Sequence, residues 1–356
     1  MSDRFRIDSH KLIYHPDRVA DWLAGRDVYP VYVEISPAGY CNHRCAFCAL
    51  DFVGYRAGFL DADLLKERLT EMGRLGVRSV LYAGEGEPLL HKRIAEIVNH
   101  TKASGIDVAL TTNAVLLDRE MCDEMLPSVT WTKVSIAGGT PDTYREVQGA
   151  SEGDFERVIE NMSYAADARR AGRHSCTLGM QLLLLPENAD EVVTLARIAK
   201  DIGMDYLVVK PYSQHPSSIT QKYADIRYSD YLPQLEEART LSGDGFEVIA
   251  RVDTMERWDS QEHCYERCLA LPFWAYVSTA GGVWACSAHL GEERFEVGNI
   301  NDATFETIWT GERRRQLMRW VAEELDTSEC RVNCRMDHIN EYLWELTHPS
   351  EHVNFI

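Results

Sequence analysis

The sequence predicts an α/β chain built as an open (β/α)6 partial barrel, followed by a small cysteine-rich C-terminal domain. Three observations predict it. Short apolar, β-branched-rich runs alternate with helical patterns from residue 31 to 210. The connections between them are short, which implies a parallel sheet with right-handed crossovers. After Pro211 this rhythm stops, and from Cys264 to Cys334 the chain turns rich in Cys, Gly and aromatic residues.

The six runs are 31–36, 77–83, 106–112, 132–137, 176–185 and 206–210. Between the first two a helix is expected over 63–75. Leu65, Leu69 and Met72 repeat at i, i+4, i+7, and Gly76 stands where a left-handed C-terminal residue belongs. Further helices are expected at about 91–104, 152–172 and 189–202. Six units fall short of the eight of a closed barrel, hence the open reading. The expected organisation is an N-terminal extension (1–29), the barrel (30–215), a connecting segment (216–260) and the cysteine-rich domain (261–356). One helix is expected near 229–241 and a last one around 337–347. Chemistry in parallel α/β folds gathers at the C-terminal ends of strands. Cys41–Cys48, Gly84–Pro88, Asn113 and Gly138–Gly139 all fall there.

Length and composition (356 residues, 45% hydrophobic, 26% charged) suit one large domain plus a smaller one. A formal charge of −19 argues against nucleic acid or an anionic membrane as main partner. Residues 1–14 lack the apolar core of a secretory signal, and no run reaches the roughly 18 apolar residues of a membrane span. Ten cysteines without a signal point to a reducing, cytoplasmic setting in which clustered thiols bind metal.

The segment 41–48 reads C-x3-C-x2-C on a loop after the first strand. Soft thiolates so close select zinc or an iron–sulfur cluster. Zinc would want a fourth ligand, for which His43 is available. A cubane normally takes four cysteines, so three leave one iron open to a substrate or cosubstrate.

The pattern C-x3-C-x-aromatic-C resembles the signature of the radical S-adenosylmethionine (SAM) superfamily. The resemblance implies that Cys41, Cys45 and Cys48 hold a [4Fe–4S] cluster whose open iron chelates the amino and carboxylate groups of SAM. Reductive cleavage would then release methionine and a 5′-deoxyadenosyl radical that abstracts hydrogen from substrate. It also implies that Phe47 packs near the adenine. Gly84-Glu-Gly-Glu87-Pro88 is similar to the family's Gly-Gly-Glu-Pro loop for the SAM amino group, with Gly86 and Glu87 as the expected contacts. Thr111-Thr-Asn113-Ala114 resembles its Thr-Asn-Gly turn, with Ala for Gly. Ser135 on the fourth strand and Gln181 on the fifth are expected toward SAM.

Five more cysteines lie near the C-terminus: Cys264, Cys268, Cys286, Cys330 and Cys334. Cys268 and Cys286 bracket a hairpin-like stretch with a Gly281-Gly282 turn signal. Paired with Cys330 and Cys334, they make a four-thiolate site that spacing alone leaves open between zinc and iron–sulfur. The stretch from Cys268 through Gly298-Asn299-Ile300 to Ile308-Trp309 resembles the auxiliary-cluster extensions called SPASM or, when shortened, twitch. That implies one auxiliary [4Fe–4S] cluster on Cys268, Cys286, Cys330 and Cys334, as in a radical SAM dehydrogenase acting on an aminocyclitol. Cys264 is left over, as a buried small residue, a replacement ligand or a hydrogen-donating thiol.

The resemblance implies an oxidoreductase or epimerase supplied with electrons by a reductase such as flavodoxin or ferredoxin. Lys210 and His215, after the sixth strand, are candidate bases or anchors. A small polyhydroxylated substrate (sugar, aminocyclitol or nucleotide sugar) is expected, because only about thirty residues precede the first strand. The alternative is a peptide-modifying maturase.

Overall fold

The computed structural model describes residues 3–355. Its elements run α1 (Pro16–Leu23), β1 (Tyr32–Ile35), α2 (Ala62–Arg74), β2 (Ser79–Tyr82), α3 (Ile94–Ala103), β3 (Asp107–Thr112), α4 (Arg119–Met125), β4 (Val129–Ser135), α5 (Pro141–Gln148), α6 (Asp154–Gly172), β5 (Thr177–Leu183), α7 (Val192–Asp201) and β6 (Tyr206–Lys210). Then come α8 (Leu232–Arg239), β7 (Glu247–Ala250), α9 (Val252–Ser260), β8 (Trp274–Val277), β9 (Gly282–Trp284), β10 (Glu296–Asn299), α10 (Phe305–Trp309), α11 (Glu312–Glu323) and α12 (Asp337–Thr347).

Local chemistry sets the helix ends. In α2 the Asp61 carboxylate caps the N-terminus by accepting from the Leu64 N–H at 2.8 Å. Leu65, Leu69 and Met72 are fully buried, and Gly76 adopts φ +85°. In α5 Thr140 caps, Pro141 opens the first turn, and Gly149 closes it in the left-handed region.

The six expected strands are present, in order and parallel. The sheet does not stop there. β7, from the stretch read as a connecting segment, adds a parallel strand beside β6. On the other edge β8 pairs parallel with β1, and β9 and β10 follow antiparallel. One ten-stranded sheet thus carries both the barrel and the hairpin of the cysteine-rich region. The expected Gly281-Gly282 turn joins β8 to β9.

Parallel strands buried on both faces need apolar residues throughout. The outward face supplies Val33, Ile35, Val80, Leu110, Val134, Met180, Leu182 and Leu207, all essentially inaccessible, against the helices. The inward face is different. Glu34, Lys133, Ser135, Gln181 and Lys210 alternate with those residues and point into the barrel. The N-terminal arm closes the floor: Phe5 packs on Tyr206, and Asp8 accepts from Arg251 and Thr254.

Candidate active site

The Cys41–Cys48 loop leaves β1 and is zipped to the end of α5. The Arg44 N–H donates to the Gln148 carbonyl at 3.1 Å and the Ala46 N–H to the Val147 carbonyl at 2.8 Å. Gly149 allows this approach, since a Cβ there would meet the Arg44 carbonyl oxygen at 2.4 Å. The three thiols face one another electrostatically. Burial pushes Cys41 up to about 11, with Glu87 and Cys48 adding to it. Burial raises Cys45 further, with Cys48 and Cys41 adding to it. Buried thiols that disfavour one another's ionisation are a donor set completed by a cationic centre, whose binding releases their protons. The residues present therefore fit an iron–sulfur cluster. His43 is not a fourth ligand. It is buried, with Nε2 3.3 Å from the Asp154 carboxylate and Nδ1 3.3 Å from the Gln148 amide. Phe47, beside the last cysteine, is buried in the core.

The glycines of the loop after β2 differ in what they lie against. Gly84 has φ +115° and lies against Ser36, whose Oγ accepts from the Glu85 N–H at 3.0 Å. Gly86 lies against the cysteine loop: a Cβ would meet the Tyr40 carbonyl at 2.2 Å and that of Ala38 at 2.6 Å. Glu87, 3% exposed, binds three of the chain's own donors. Its Oε1 accepts from the Thr112 hydroxyl at 2.5 Å and the Leu89 N–H at 3.1 Å, its Oε2 from the Asn113 N–H at 2.8 Å. One acceptor direction on Oε2 is left for a ligand. Asn113 then donates to Asn42 of the cysteine loop at 2.7 Å. Ala114 takes the glycine-like φ of +60° in that turn. Ser135 and Gln181 are register partners at the C-terminal ends of β4 and β5.

Because its contacts are backbone carbonyls, Gly86→Ala cannot be absorbed by a side-chain rotation. We expect it to weaken SAM binding by at least about tenfold, the effect of one overpacking clash of roughly 1–3 kcal/mol. Equilibrium dialysis on iron-replete protein checks it; unchanged affinity would show that the loop does not meet the ligand.

Cys268, Cys286, Cys330 and Cys334 come together from three separate stretches of chain. Each of the first three has its thiol raised by burial and then by others of the set, Cys286 and Cys330 to about 12 and 11. Asn340 on α12 holds this arrangement. Its Oδ1 accepts from the Leu269 and Ala270 N–H groups at 2.7 and 2.9 Å, and its Nδ2 faces the Cys268 sulfur at 3.8 Å. The Cys330–Cys334 loop crosses the open side of the barrel. Ser213 Oγ donates to the Asn333 carbonyl at 3.3 Å, and Arg335 pairs with Glu34 inside.

Three candidate catalytic residues fare differently. Cys264 is exposed beside Glu341 and Arg257, so it is not the buried small residue that is one reading of it, and none of the other four thiols is among the groups that shift it. His215 is buried, but both ring nitrogens are engaged: Nε2 donates to the Ser287 carbonyl at 3.2 Å, Nδ1 accepts from the Ser217 N–H at 3.0 Å. It brackets loops and has no nitrogen left for a substrate proton. Burial holds it down to about 4, hence neutral. Lys210 does face the interior, its ammonium pushed well below the usual lysine range by burial, then by Lys133, Arg251, Arg335 and Arg331. Lys133 and Arg331 went unread in the sequence. The alternation that points Ser135 inward does the same for Lys133 two residues earlier.

A cavity of about 460 Å3 opens between the segment that follows the cysteine loop (Phe52–Gly58), Glu85 and the β8–β9 hairpin with Trp284. Its rim is tied on every side. Asp51 accepts from Ser218 Oγ and the Ile219 and Thr220 N–H groups, and Phe52 packs on His215 with ring centroids 4.5 Å apart.

Comparison with known proteins agrees with this architecture. Residues 35–199 match the Radical SAM superfamily, and residues 268–335 match SPASM, an iron–sulfur cluster-binding domain. The chain thus carries a radical SAM domain and a C-terminal SPASM domain. The first implies a [4Fe–4S] cluster and SAM, the second auxiliary iron–sulfur ligation. It is 30% identical over 215 residues to a GTP 3′,8-cyclase of Chlorobaculum tepidum, an alignment spanning 58% of this chain and 63% of that protein. It is 25% identical to an AdoMet-dependent heme synthase of Methanosarcina barkeri, over 76% of this chain and 79% of the other. The crystal structure of Streptococcus suis SuiB bound to S-adenosylmethionine superposes with a TM-score of 0.64 at 18% identity, covering 85% and 70% of the two chains. That likeness is one of fold. No helix among the described residues is long and apolar enough to cross a membrane.

Proposed function

We propose that this enzyme removes a hydrogen atom from a C–H bond of a small polyhydroxylated substrate and oxidises the resulting radical, a net dehydrogenation. When bound, SAM and its cluster supply the radical that takes the hydrogen, and an auxiliary cluster supplies an electron acceptor. Cys41, Cys45 and Cys48 would hold the first cluster and Cys268, Cys286, Cys330 and Cys334 the second. Gly86, Glu87, Asn113, Ser135 and Gln181 would seat SAM, with Phe47 packed against the adenine side.

The observation that carries the reading is the position of the cavity. It is lined by Glu85, in the loop read as binding SAM, and by Trp284, two residues before Cys286, so a substrate there would meet segments that lead to both thiol sets. Its volume suits a small molecule. Lys210 supports oxidation over epimerisation: burial and neighbouring cations favour the neutral form of its amine, which can take a hydroxyl proton as a carbonyl forms. Cys264, the thiol that epimerisation would call on as hydrogen donor, stands apart.

Anaerobic reconstitution should give about eight irons per chain, four for each cubane. Dithionite should then yield 5′-deoxyadenosine, and deuterated sugars or aminocyclitols should pass label to it while a new carbonyl forms. Solvent deuterium at a product carbon would replace dehydrogenation by epimerisation. Label arriving only from a peptide would replace the substrate class.

A further inference from the structure

The barrel interior holds more basic side chains than its own carboxylates answer. Lys133 and Lys210 point inward from β4 and β6, and Arg331, Arg335 and Arg251 approach from neighbouring segments, all within electrostatic reach of Lys210. Two of the five are answered: Arg335 pairs with Glu34, and Arg251 with Asp8 at 3.2 Å. Among the described residues no carboxylate pairs with Lys133, Lys210 or Arg331 within ion-pair distance. The Nε of Arg331 is buried without a hydrogen-bond partner. All this sits in a chain of formal charge −19, where anionic side chains are plentiful, yet among the described residues only Glu34 and Asp8 pair with this group.

Charge held without a partner in a partly water-excluded space is costly and persists only where something offsets it. Arg335 stands beside Cys334 and is already paired with Glu34. Lys133 projects from β4, its ammonium 5.6 Å from the Trp131 ring, two residues before Ser135. We propose that the substrate carries an anionic group, a carboxylate or a phosphate, which is received inside the barrel by Lys133 and Arg331 on either side of Lys210. The inference rests on the catalytic reading above and narrows it from polyhydroxylated molecules to anionic ones. Lys133 and Arg331 are positioning residues.

The test uses reconstituted holoenzyme saturated with SAM, titrated calorimetrically with inorganic phosphate, pyrophosphate and succinate. One site per chain is expected, weakening as salt rises. Lys133→Met should reduce affinity by about tenfold or more, the loss of one charge-assisted contact. Lys133→Arg should restore most of it. If Lys133→Met fails to retain iron, Lys133→Gln is read instead. Tighter phosphate or pyrophosphate binding assigns a phosphorylated substrate, tighter succinate binding a carboxylate. Absence of binding by all three probes, equal binding by the Lys133 variants, or stoichiometric displacement of SAM by a probe would overturn the proposal. The two readings fail separately. Probe binding without dithionite-dependent SAM cleavage leaves the anion seat standing and removes the radical chemistry; cleavage without probe binding does the reverse.

Discussion

Alanine at Cys41, Cys45 and Cys48 together is expected to abolish 5′-deoxyadenosine formation and remove about four of about eight irons. Alanine at Cys268 and Cys286 should instead spare SAM cleavage and abolish product. The separation follows from how each loop is held. The Cys41–Cys48 loop hangs on main-chain bonds to Val147 and Gln148 and on the Glu87 N–H to Tyr40 carbonyl bond at 2.9 Å. None of these involves the thiols, so the triple variant should fold and keep its second cluster. The four-thiol site is joined to the barrel through Arg335–Glu34 and Asn340, which also survive loss of the sulfurs. Iron and sulfide counts with product analysis of both variants decide it. Wild-type cleavage by the first variant would remove the cysteine loop from the chemistry; loss of cleavage in the second would mean the two sites are not independent.

The core of the barrel was legible because the helix-facing side of each strand must be apolar, and runs such as Leu178–Leu185 announce themselves despite the inward Gln181. β7 escaped because its four residues, Glu247 to Ala250, offer only Val248 and Ile249 as an apolar pair. The β1–β8 pairing escaped for another reason. It joins Tyr32 to Trp274, and no local pattern reports a contact of that separation. The cysteines and the SAM-loop residues were legible through their motifs. Chemistry set by surroundings was not. His215 looked like a base until both its nitrogens proved to be engaged by main chain, and Cys264, open to reading as a buried small residue, is left at the surface by the fold. Lys133 sat in plain view on β4, but its meaning depends on which charges share the interior.

Lys133→Met is expected to stabilise the ligand-free protein at pH 7 by about 3 kcal/mol, while weakening the anion seat. Burial, then Arg251 and Arg335, hold Lys133 down to about 8 from 10.5, against partial relief from Glu34; Lys11 adds to the depression. Each unit of such a difference is worth about 1.4 kcal/mol. The folded-state value lies below the unfolded one, so between pH 8 and 10.5 the unfolded chain binds the proton more strongly. The lysine's destabilisation is therefore fully present below about pH 8, shrinks as pH rises through that window, and vanishes above it. The methionine variant's advantage should follow the same course, large at pH 7 and small at pH 10, in denaturant titrations of both proteins. A loss of stability on substitution at pH 7 would mean that Lys133 is an ordinary structural lysine whose partner lies within the chain. Phosphate or succinate should narrow the gap, because a ligand that binds only the folded wild type stabilises it by mass action and does little for the variant. A residue that costs stability when the barrel is empty and returns it when an anion arrives is one whose partner comes from outside the chain.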